Sequence, residues 1–197
     1  MPLPTYDKSK RRKSFEALPK GAYVCRIIGA KETQWKSGNG RSLEIGFDIA
    51  EGEYAGFFDK QYQAMDPENK KWPNDGIFRL TVPTDGCASY IWDNYNSFFA
   101  DLEESNNGYV FDGDPKNLKG KLIGGKFHIE QTEYNGNIYD HTRFRWSCVA
   151  DDVRNGKPGR MPNDKLITAT SRAAAPGITS ATDFMTIPEG SEPEIPF

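Results

Sequence analysis

The sequence has few apolar residues and lacks long apolar runs. Hydrophobic residues make up 37% of its 197 positions, and no stretch approaches the roughly 18 apolar residues of a membrane-spanning helix. The basic residues near the N-terminus are not followed by the apolar region of a signal peptide. These absences indicate a cytoplasmic protein without a membrane partner.

Cysteine and histidine are scarce. Cys25, Cys87 and Cys148 are far apart and form no CxxC pair, so we interpret them as reduced, mostly structural thiols and not as a disulfide framework or a zinc site. The only histidines, His128 and His141, occupy polar strand positions without metal-ligand spacing. We expect both to be exposed on a hairpin, and we expect neither a metal nor a cofactor.

The motifs of common enzymes are missing as well. The stretch WKSGNGRS (35–42) contains lysine, serine and glycine, but not in the order of a phosphate-binding loop. The DGD at 112–114 lacks the further ligands of a calcium loop. We find no nucleophile elbow and no carboxylate pair that spacing would single out. The prediction is therefore a protein without catalytic residues.

Composition divides the chain into four segments. Residues 1–18 are basic and poor in apolar residues, which indicates a mobile N-terminal segment. Residues 19–154 carry the patterns of a folded domain. Residues 155–188 are small residues interrupted by proline and glycine, which is typical of a flexible linker, and 189–197 form an acidic tip. We therefore expect a disordered C-terminal tail.

The middle segment is predicted to form strands, one helix and a hairpin. The strand candidates before the helix are 21–35, 42–52, 56–63 and 76–82. A helical period runs from Ile91 to Leu102, Asp85 could lie near its N-cap, and SNNG (105–108) follows as a stop signal. Two long strands then flank Asn135-Gly136, the dipeptide of a tight hairpin.

This order of elements predicts a mainly β protein with an OB-fold. That fold is a five-stranded, partly open Greek-key barrel, here with one α-helix between strands 3 and 4. A different small barrel, or a mixed sheet with one helix, remains the alternative. Strand alternation places four side chains in the core: Phe47, Phe127, Phe144 and Trp146. Phe57 and Phe58 are adjacent in a predicted strand, so we expect one to be buried and the other exposed.

Aromatic residues are abundant, at 13% of the chain, and basic residues are interleaved with them. Single-stranded nucleic acid is bound by this combination, because cations neutralise phosphates and flat rings stack on bases. Barrels of the predicted type bind along strands 2 and 3 and the flanking loops. The candidate nucleic-acid-binding residues are Trp35, Lys36, Arg41, Phe57, Phe58, Lys60, Tyr62, Lys71, Trp72, Tyr139, Arg143 and Arg145. Neither Trp35 nor Trp72 is expected in the core.

Residues 18–62 contain a Pro-x-Gly-x-Tyr strand, a KSGNG loop and an acidic FDIAEGEYAG turn. Residues 98–136 contain a helix with an EESN-x-GY exit and a Lys-Gly-Lys strand. Together these motifs resemble a family of phage-encoded proteins long catalogued as of unknown function. The resemblance covers roughly residues 18–150 and implies an OB-fold single-stranded-DNA-binding protein of phage replication or recombination. It implies that the loop 35–41 and the stretch 57–62 line the DNA groove. The stretch 64–76 is longer and more basic than in that family.

The chain ends in Glu194-Ile195-Pro196-Phe197, which resembles the acidic tip of bacterial single-stranded-DNA-binding proteins. In such a tip the ring of Phe197 fits an apolar pocket on a partner, the terminal carboxylate meets a basic residue, and the flanking acids steer the encounter. These four residues are therefore predicted to bind replication or recombination proteins.

The sequence thus predicts a single-stranded-DNA-binding protein that acts in the cytoplasm of a phage-infected bacterial host. It would coat single strands without strong sequence preference and recruit partner enzymes through its tip, and a homo-oligomer is compatible with this role. The alternative is a protein–protein interaction module that binds or inhibits a host DNA-processing enzyme. A nuclease or another enzyme built on the barrel is a third and more distant alternative.

Overall fold

One five-stranded antiparallel sheet dominates the residues that the computed structural model describes, 17–38 and 40–167. Its strands are β1 (Ala22–Gln34), β2 (Arg41–Ile49), β3 (Ile77–Thr81), β4 (Leu122–Tyr134) and β5 (Asn137–Cys148). The helices are α1 (Phe57–Gln63), α2 (Ser89–Ser105) and α3 (Ala150–Arg154), with short 3-10 turns at Pro67–Asn69, Asn74–Gly76 and Pro115–Leu118. The protein is therefore mainly β, as predicted.

The strand order is β3-β2-β1-β4-β5, and every neighbouring pair is antiparallel. Within the described residues β3 and β5 form the two edges, and no strand pairing joins them. The sheet is consequently open, and its closure into a Greek-key barrel remains a prediction. None of the helices in this part of the chain is long and apolar enough to cross a membrane.

The termini fall largely outside this description. Residues 1–16 and 168–197 lie outside the described residues. They include most of the predicted N-terminal segment 1–18, the linker beyond residue 167 and the whole tip 189–197. The start of the predicted linker does contact the sheet: the Asn163 carbonyl lies 2.9 Å from Nδ1 of His128, and the Lys165 backbone bonds to the backbone of Ile129 and Gln131. His128 is thereby buried, so the prediction that it is exposed is wrong.

Three local sequence signals are confirmed. Along β2 the alternating Leu43, Ile45, Phe47 and Ile49 are all buried. The predicted helix is α2, although it starts after Ala88 and not at a cap formed by Asp85. Asn135 and Gly136 both have positive φ angles, 51° and 76°, as the tight turn between β4 and β5 requires.

The predicted strand at 56–63 is wrong, because Phe57–Gln63 forms α1. The cause is the carboxylate of Asp48 in β2, whose Oδ1 accepts hydrogen bonds from the backbone N–H groups of Ile49 and Phe58, both at 2.8 Å. Its Oδ2 accepts the N–H of Asp59 at 3.3 Å. Since the first N–H groups of a helix lack intrahelical partners, this buried carboxylate stabilises the start of α1.

Replacing Asp48 by alanine should therefore destabilise the fold. We expect a loss of about 1.5–3 kcal/mol, because the substitution removes hydrogen bonds to a charged acceptor and leaves N–H groups of α1 unpaired. Urea denaturation followed by circular dichroism measures this loss. Asp59→Ala is the matched control, because Asp59 is an exposed acid on the same helix. Equal losses from the two substitutions would contradict the capping role.

Rings fill the interior of the curved sheet. Phe47, Phe127 and Phe144 are buried as predicted, and their ring centroids lie 5.3–5.7 Å apart. Phe58 of α1 joins them at 5.5 Å from Phe47, whereas Phe57 is partly buried against this core instead of exposed. On the open side, Phe78 of β3 lies 4.5 Å from Phe144 of β5. The two sheet edges thus meet through aromatic side chains.

The cysteines have no disulfide partners. Cys25, Cys87 and Cys148 are all free, and Cys25 and Cys148 are buried. Burial raises the pKa of the Cys148 thiol to about 11 and that of Cys25 well above its usual value. Both groups are therefore protonated at neutral pH, which agrees with their interpretation as structural thiols.

Candidate nucleic-acid interface

A cleft of about 520 Å³ lies between α2 and the two edges of the sheet. Its walls come from separate parts of the chain: the end of β1, the edge strand β3, one side of α2, and the facing stretches of β4 and β5. The side chains that line it include Trp35, Phe78, Arg79, Tyr90, Asn94, Ser97, Asp101, Lys126, Arg145, Trp146 and Ser147.

Three aromatic side chains in this cleft expose their rings to solvent. Trp35 is 42% exposed, Tyr90 63% and Trp146 37%. Phe78 also lines the cleft, but its ring packs against Phe98 and Phe144 in the interior. Since exposed aromatic rings are costly to leave in water and available for stacking, they are the first feature that suggests a ligand with flat groups.

The turn after β1 holds Trp35 in place. The Trp35 N–H donates to the carbonyl of Gly40, and its own carbonyl accepts from Gly38, both at 2.9 Å. The indole lies against Gly40 so closely that a Cβ atom there would come within 2.7 Å of the ring. A larger residue at position 40 would displace the indole, so this contact requires glycine.

A β-bulge directs Trp146 out of the core. The register of β4 and β5 shifts between Lys126 and Phe127, so that Phe127 pairs with Phe144 while Lys126 pairs with Trp146. Arg145 is the extra residue of β5. Because a bulge interrupts the alternation of side chains, Trp146 no longer follows the inward direction of Phe144. The prediction that Trp146 belongs to the core is wrong.

Cationic side chains accompany the rings. Arg145 forms no hydrogen bond or ion pair with another residue in the described ranges, and Lys126 donates only to the carbonyl of Pro158, at 3.0 Å. Arg79 also lines the cleft, but its guanidinium is already bound to Glu44 at 2.9 Å and to Asn74 at 3.2 Å. Lys126 and Arg145 are thus the cations that the cleft offers to an anionic ligand.

One carboxylate lies among these groups. Asp101 of α2 accepts a hydrogen bond from the Ser147 hydroxyl of β5, which ties the helix to the edge strand. Burial raises the pKa of Asp101, while the bond from Ser147 and the nearby Lys126 act in the opposite direction. Neither in this cleft nor in the rest of the described ranges do three or more His, Cys, Asp or Glu side chains form a cluster that could hold a metal ion.

Of the sequence-predicted binding residues, the structure brings Trp35 and Arg145 together in the cleft. Lys36 and Arg41 lie in or beside the Trp35 loop and are exposed, although Arg41 is paired with Glu32 at 3.0 Å. Tyr139 is exposed near the tip of the β4–β5 hairpin.

Other predicted residues lie elsewhere and are already engaged. Phe58 is buried in the core and Phe57 packs partly buried against it, and the ammonium of Lys60 donates to the Ala55 carbonyl at 3.0 Å. The Tyr62 ring lies 5.5 Å from Trp72, and Lys71 is exposed next to them.

Trp72 and Arg143 differ most from the expectation. Trp72 is not one of the buried core residues, but it packs partly buried against them and donates its indole N–H to the Gly76 carbonyl at 3.0 Å. The Nε of Arg143 lies 3.4 Å from Glu130 and 3.7 Å from Asp75. These internal partners leave both side chains less available for a ligand than Trp35 or Arg145.

Sequence reasoning missed Tyr90 and Trp146 as binding candidates. Tyr90 lies one helical turn before Asn94 at the start of α2, and a helical projection would have revealed its solvent-facing ring. For Trp146 no local signal exists, because the bulge follows from the pairing of β5 with β4.

Residues 4–81 are similar to the family described as "Protein of unknown function (DUF669)". No curated protein matches the chain.

Proposed function

We propose that the protein binds single-stranded DNA in the cleft between α2 and the edges of β3 and β5. The observation that carries this proposal is the convergence of three exposed rings with two available cations in one cleft. Exposed rings stack unpaired bases, and cations along the same path neutralise the phosphates that connect them. In duplex DNA the bases already stack on one another, so the rings of the cleft would have no faces to cover.

The order of elements supports the finer assignment to an OB-fold. In the proposed barrel, β3 and β5 are the strands that would approach each other, and α2 lies between β3 and β4 in sequence. The OB-fold is a five-stranded Greek-key barrel that is only partly closed and binds oligonucleotides. The ring contact between Phe78 and Phe144 supports an arrangement in which the open side is held together without hydrogen bonds.

Within this proposal the protein belongs to phage DNA replication or recombination and coats exposed strands in an infected bacterial cell. It has no catalytic role, and partner enzymes are recruited through Glu194-Ile195-Pro196-Phe197, which lie outside the described residues. The resemblance of the 18–62 and 98–136 motifs to phage proteins supports this assignment, and the match to a family of unknown function is compatible with it.

Binding to oligo-dT should weaken steeply with salt. If Lys126, Arg145 and one or two neighbouring cations each neutralise one phosphate, log K should fall with log salt with a slope of about −2 to −3. The slope is obtained from the quenching of tryptophan fluorescence on binding, measured at salt concentrations from about 50 to about 400 mM. Arg145→Gln should make the slope shallower by about 0.7.

Duplex DNA and RNA of the same length complete the experiment. Tighter binding to the duplex than to the single strand, or binding insensitive to salt, would contradict the proposal. Lys119→Gln is the matched control, because Lys119 is exposed and does not line the cleft, and it should leave the slope unchanged.

A further inference from the structure

The side of α2 that faces the cleft carries a row of polar side chains. Tyr90, Asn94, Ser97 and Asp101 follow one another at steps of four, three and four, which places them along one face of the helix. The row therefore starts with a ring and continues with an amide, a hydroxyl and a carboxylate. Among the described residues, neither the Asn94 amide nor the Ser97 hydroxyl has a hydrogen-bond partner.

Asp101 is the most constrained member of this row. It is half-buried, and one of its carboxylate oxygens, Oδ2, accepts the hydrogen bond from Ser147. Its other oxygen, Oδ1, bonds to no residue in the part of the chain that the structure describes. The Ser147 bond restricts the orientation of the carboxylate, and Asp101 lines the cleft, so Oδ1 is the acceptor that is left for a ligand.

A carboxylate is an unexpected group beside a bound phosphate chain. Like charges repel, and the repulsion is strong where the site is partly shielded from water. A strand that places its phosphates near Lys126 and Arg145 must therefore turn another part of the nucleotide toward Asp101. The deoxyribose of a DNA strand has no free hydroxyl group to donate, so the part that can bond to Asp101 is the edge of a base.

We propose that Asp101 reads the base edge and favours bases that carry an exocyclic amino group, cytosine above all. This inference rests on the proposed function and refines the expected lack of strong sequence preference into a preference at one position of the site. An ionised carboxylate only accepts hydrogen bonds, and the N4 amino group of cytosine donates one. Uracil and thymine present a carbonyl oxygen at that position. This oxygen is also an acceptor, so it would repel the carboxylate.

Deoxycytidine and deoxyuridine oligonucleotides of equal length provide the sharpest test. The two bases differ at the amino-bearing edge and share the same ring size, so stacking on Trp35 and Trp146 changes little. At pH 8 and moderate salt we expect oligo-dC to bind about tenfold more tightly than oligo-dU, as expected for one good base contact. Fluorescence titration measures both affinities on the full-length protein.

The Asp101→Asn variant assigns the preference to this side chain. Asparagine keeps the size of the side chain and an oxygen for Ser147, but it replaces one acceptor by an amide donor. The dC preference should therefore disappear or reverse, since the amide N–H groups can donate to O4 of uracil. Ser147→Ala frees the carboxylate and should reduce the preference without reversing it. Glu104→Gln is the matched control, because Glu104 is an exposed acid of α2 outside the cleft.

Three outcomes overturn the inference. Equal affinity of the unaltered protein for oligo-dC and oligo-dU rejects base reading and leaves the proposed function intact. An unchanged dC preference in Asp101→Asn, with the fold preserved by circular dichroism, assigns the preference to another group. Absence of binding to both oligonucleotides overturns the proposed function and this inference together. Loss of the preference in Asp101→Asn but not in Glu104→Gln supports it.

Discussion

A protein that carries both Trp35→Ala and Trp146→Ala is expected to bind oligo-dT about 2–6 kcal/mol more weakly than the unaltered protein, since each stacked base contributes about 1–3 kcal/mol. The two rings come from the end of β1 and from β5 and line the same cleft. Neither is buried, so removing them should leave the fold intact. The loss is therefore a loss of binding surface, and fluorescence anisotropy of a labelled oligonucleotide measures it.

Trp92→Ala is the matched control for the double variant. Trp92 is also an exposed tryptophan, at 46%, and it belongs to α2, but it does not line the cleft. Its removal should leave the affinity for oligo-dT unchanged. A similar loss for Trp92→Ala would show that binding spreads over the surface and does not depend on the cleft. Unfolding of the double variant would show that Trp146 stabilises the sheet despite its exposure.

The structural elements that are determined by residues close to each other in sequence could be predicted. The alternation along β2 reports one buried face, and the apolar period around Phe98 and Leu102 reports the buried side of α2. The hairpin follows from Asn135-Gly136, because few other residues adopt the two positive φ angles of its turn. In each case the structural cause lies within a few positions of the residues that signal it.

The errors arise where the cause is distant in sequence. The stretch 57–63 is rich in aromatic residues and could pair as a strand, but the carboxylate of Asp48 reaches its first N–H groups from ten positions away. Trp146 follows the period of Phe144 in sequence, yet the bulge at Arg145 reverses its direction. Neither the remote cap nor the bulge has a local sequence signature.

The candidate site combines both situations. Trp35 and Arg145 could be predicted as binding residues. An aromatic residue in a glycine-rich loop and a basic residue on the polar side of a strand have few partners within the protein. Tyr90, Lys126 and Asp101 could not be placed beside them, since that depends on how α2 packs against the edges of the sheet. The residue types were therefore foreseeable, whereas the composition of the cleft required the tertiary structure.

One pair of rings spans the open side of the sheet next to this cleft. No backbone hydrogen bonds connect β3 to β5 among the described residues, yet Phe78 and Phe144 lie 4.5 Å apart across that gap. Phe144 also contacts Phe47 at 5.3 Å and Phe127 at 5.4 Å, so it connects the edge to the centre of the core. Aromatic pairs at these distances contribute beyond the area that they bury.

Phe144→Ala is accordingly expected to lower the free energy of unfolding by about 3–5 kcal/mol, the usual cost of removing a buried ring. Urea denaturation monitored by far-ultraviolet circular dichroism measures the loss. Phe144→Leu keeps most of the apolar volume and should cost less than about 1.5 kcal/mol. A loss from Phe144→Ala no larger than that from Phe144→Leu would contradict a central role for the ring.

The same substitution also tests how the core supports binding. We expect Phe78 and Phe144 to fix the distance between the edge strands β3 and β5. A folded Phe144→Ala protein should therefore bind oligo-dT more weakly than Phe144→Leu. The effect would be indirect, because neither residue 78 nor residue 144 offers a solvent-exposed ring to a base. Measurement at low temperature without denaturant keeps the variant folded and separates the two effects. Unchanged affinity in Phe144→Ala would mean that backbone pairing within the sheet is sufficient to position Trp35 and Trp146.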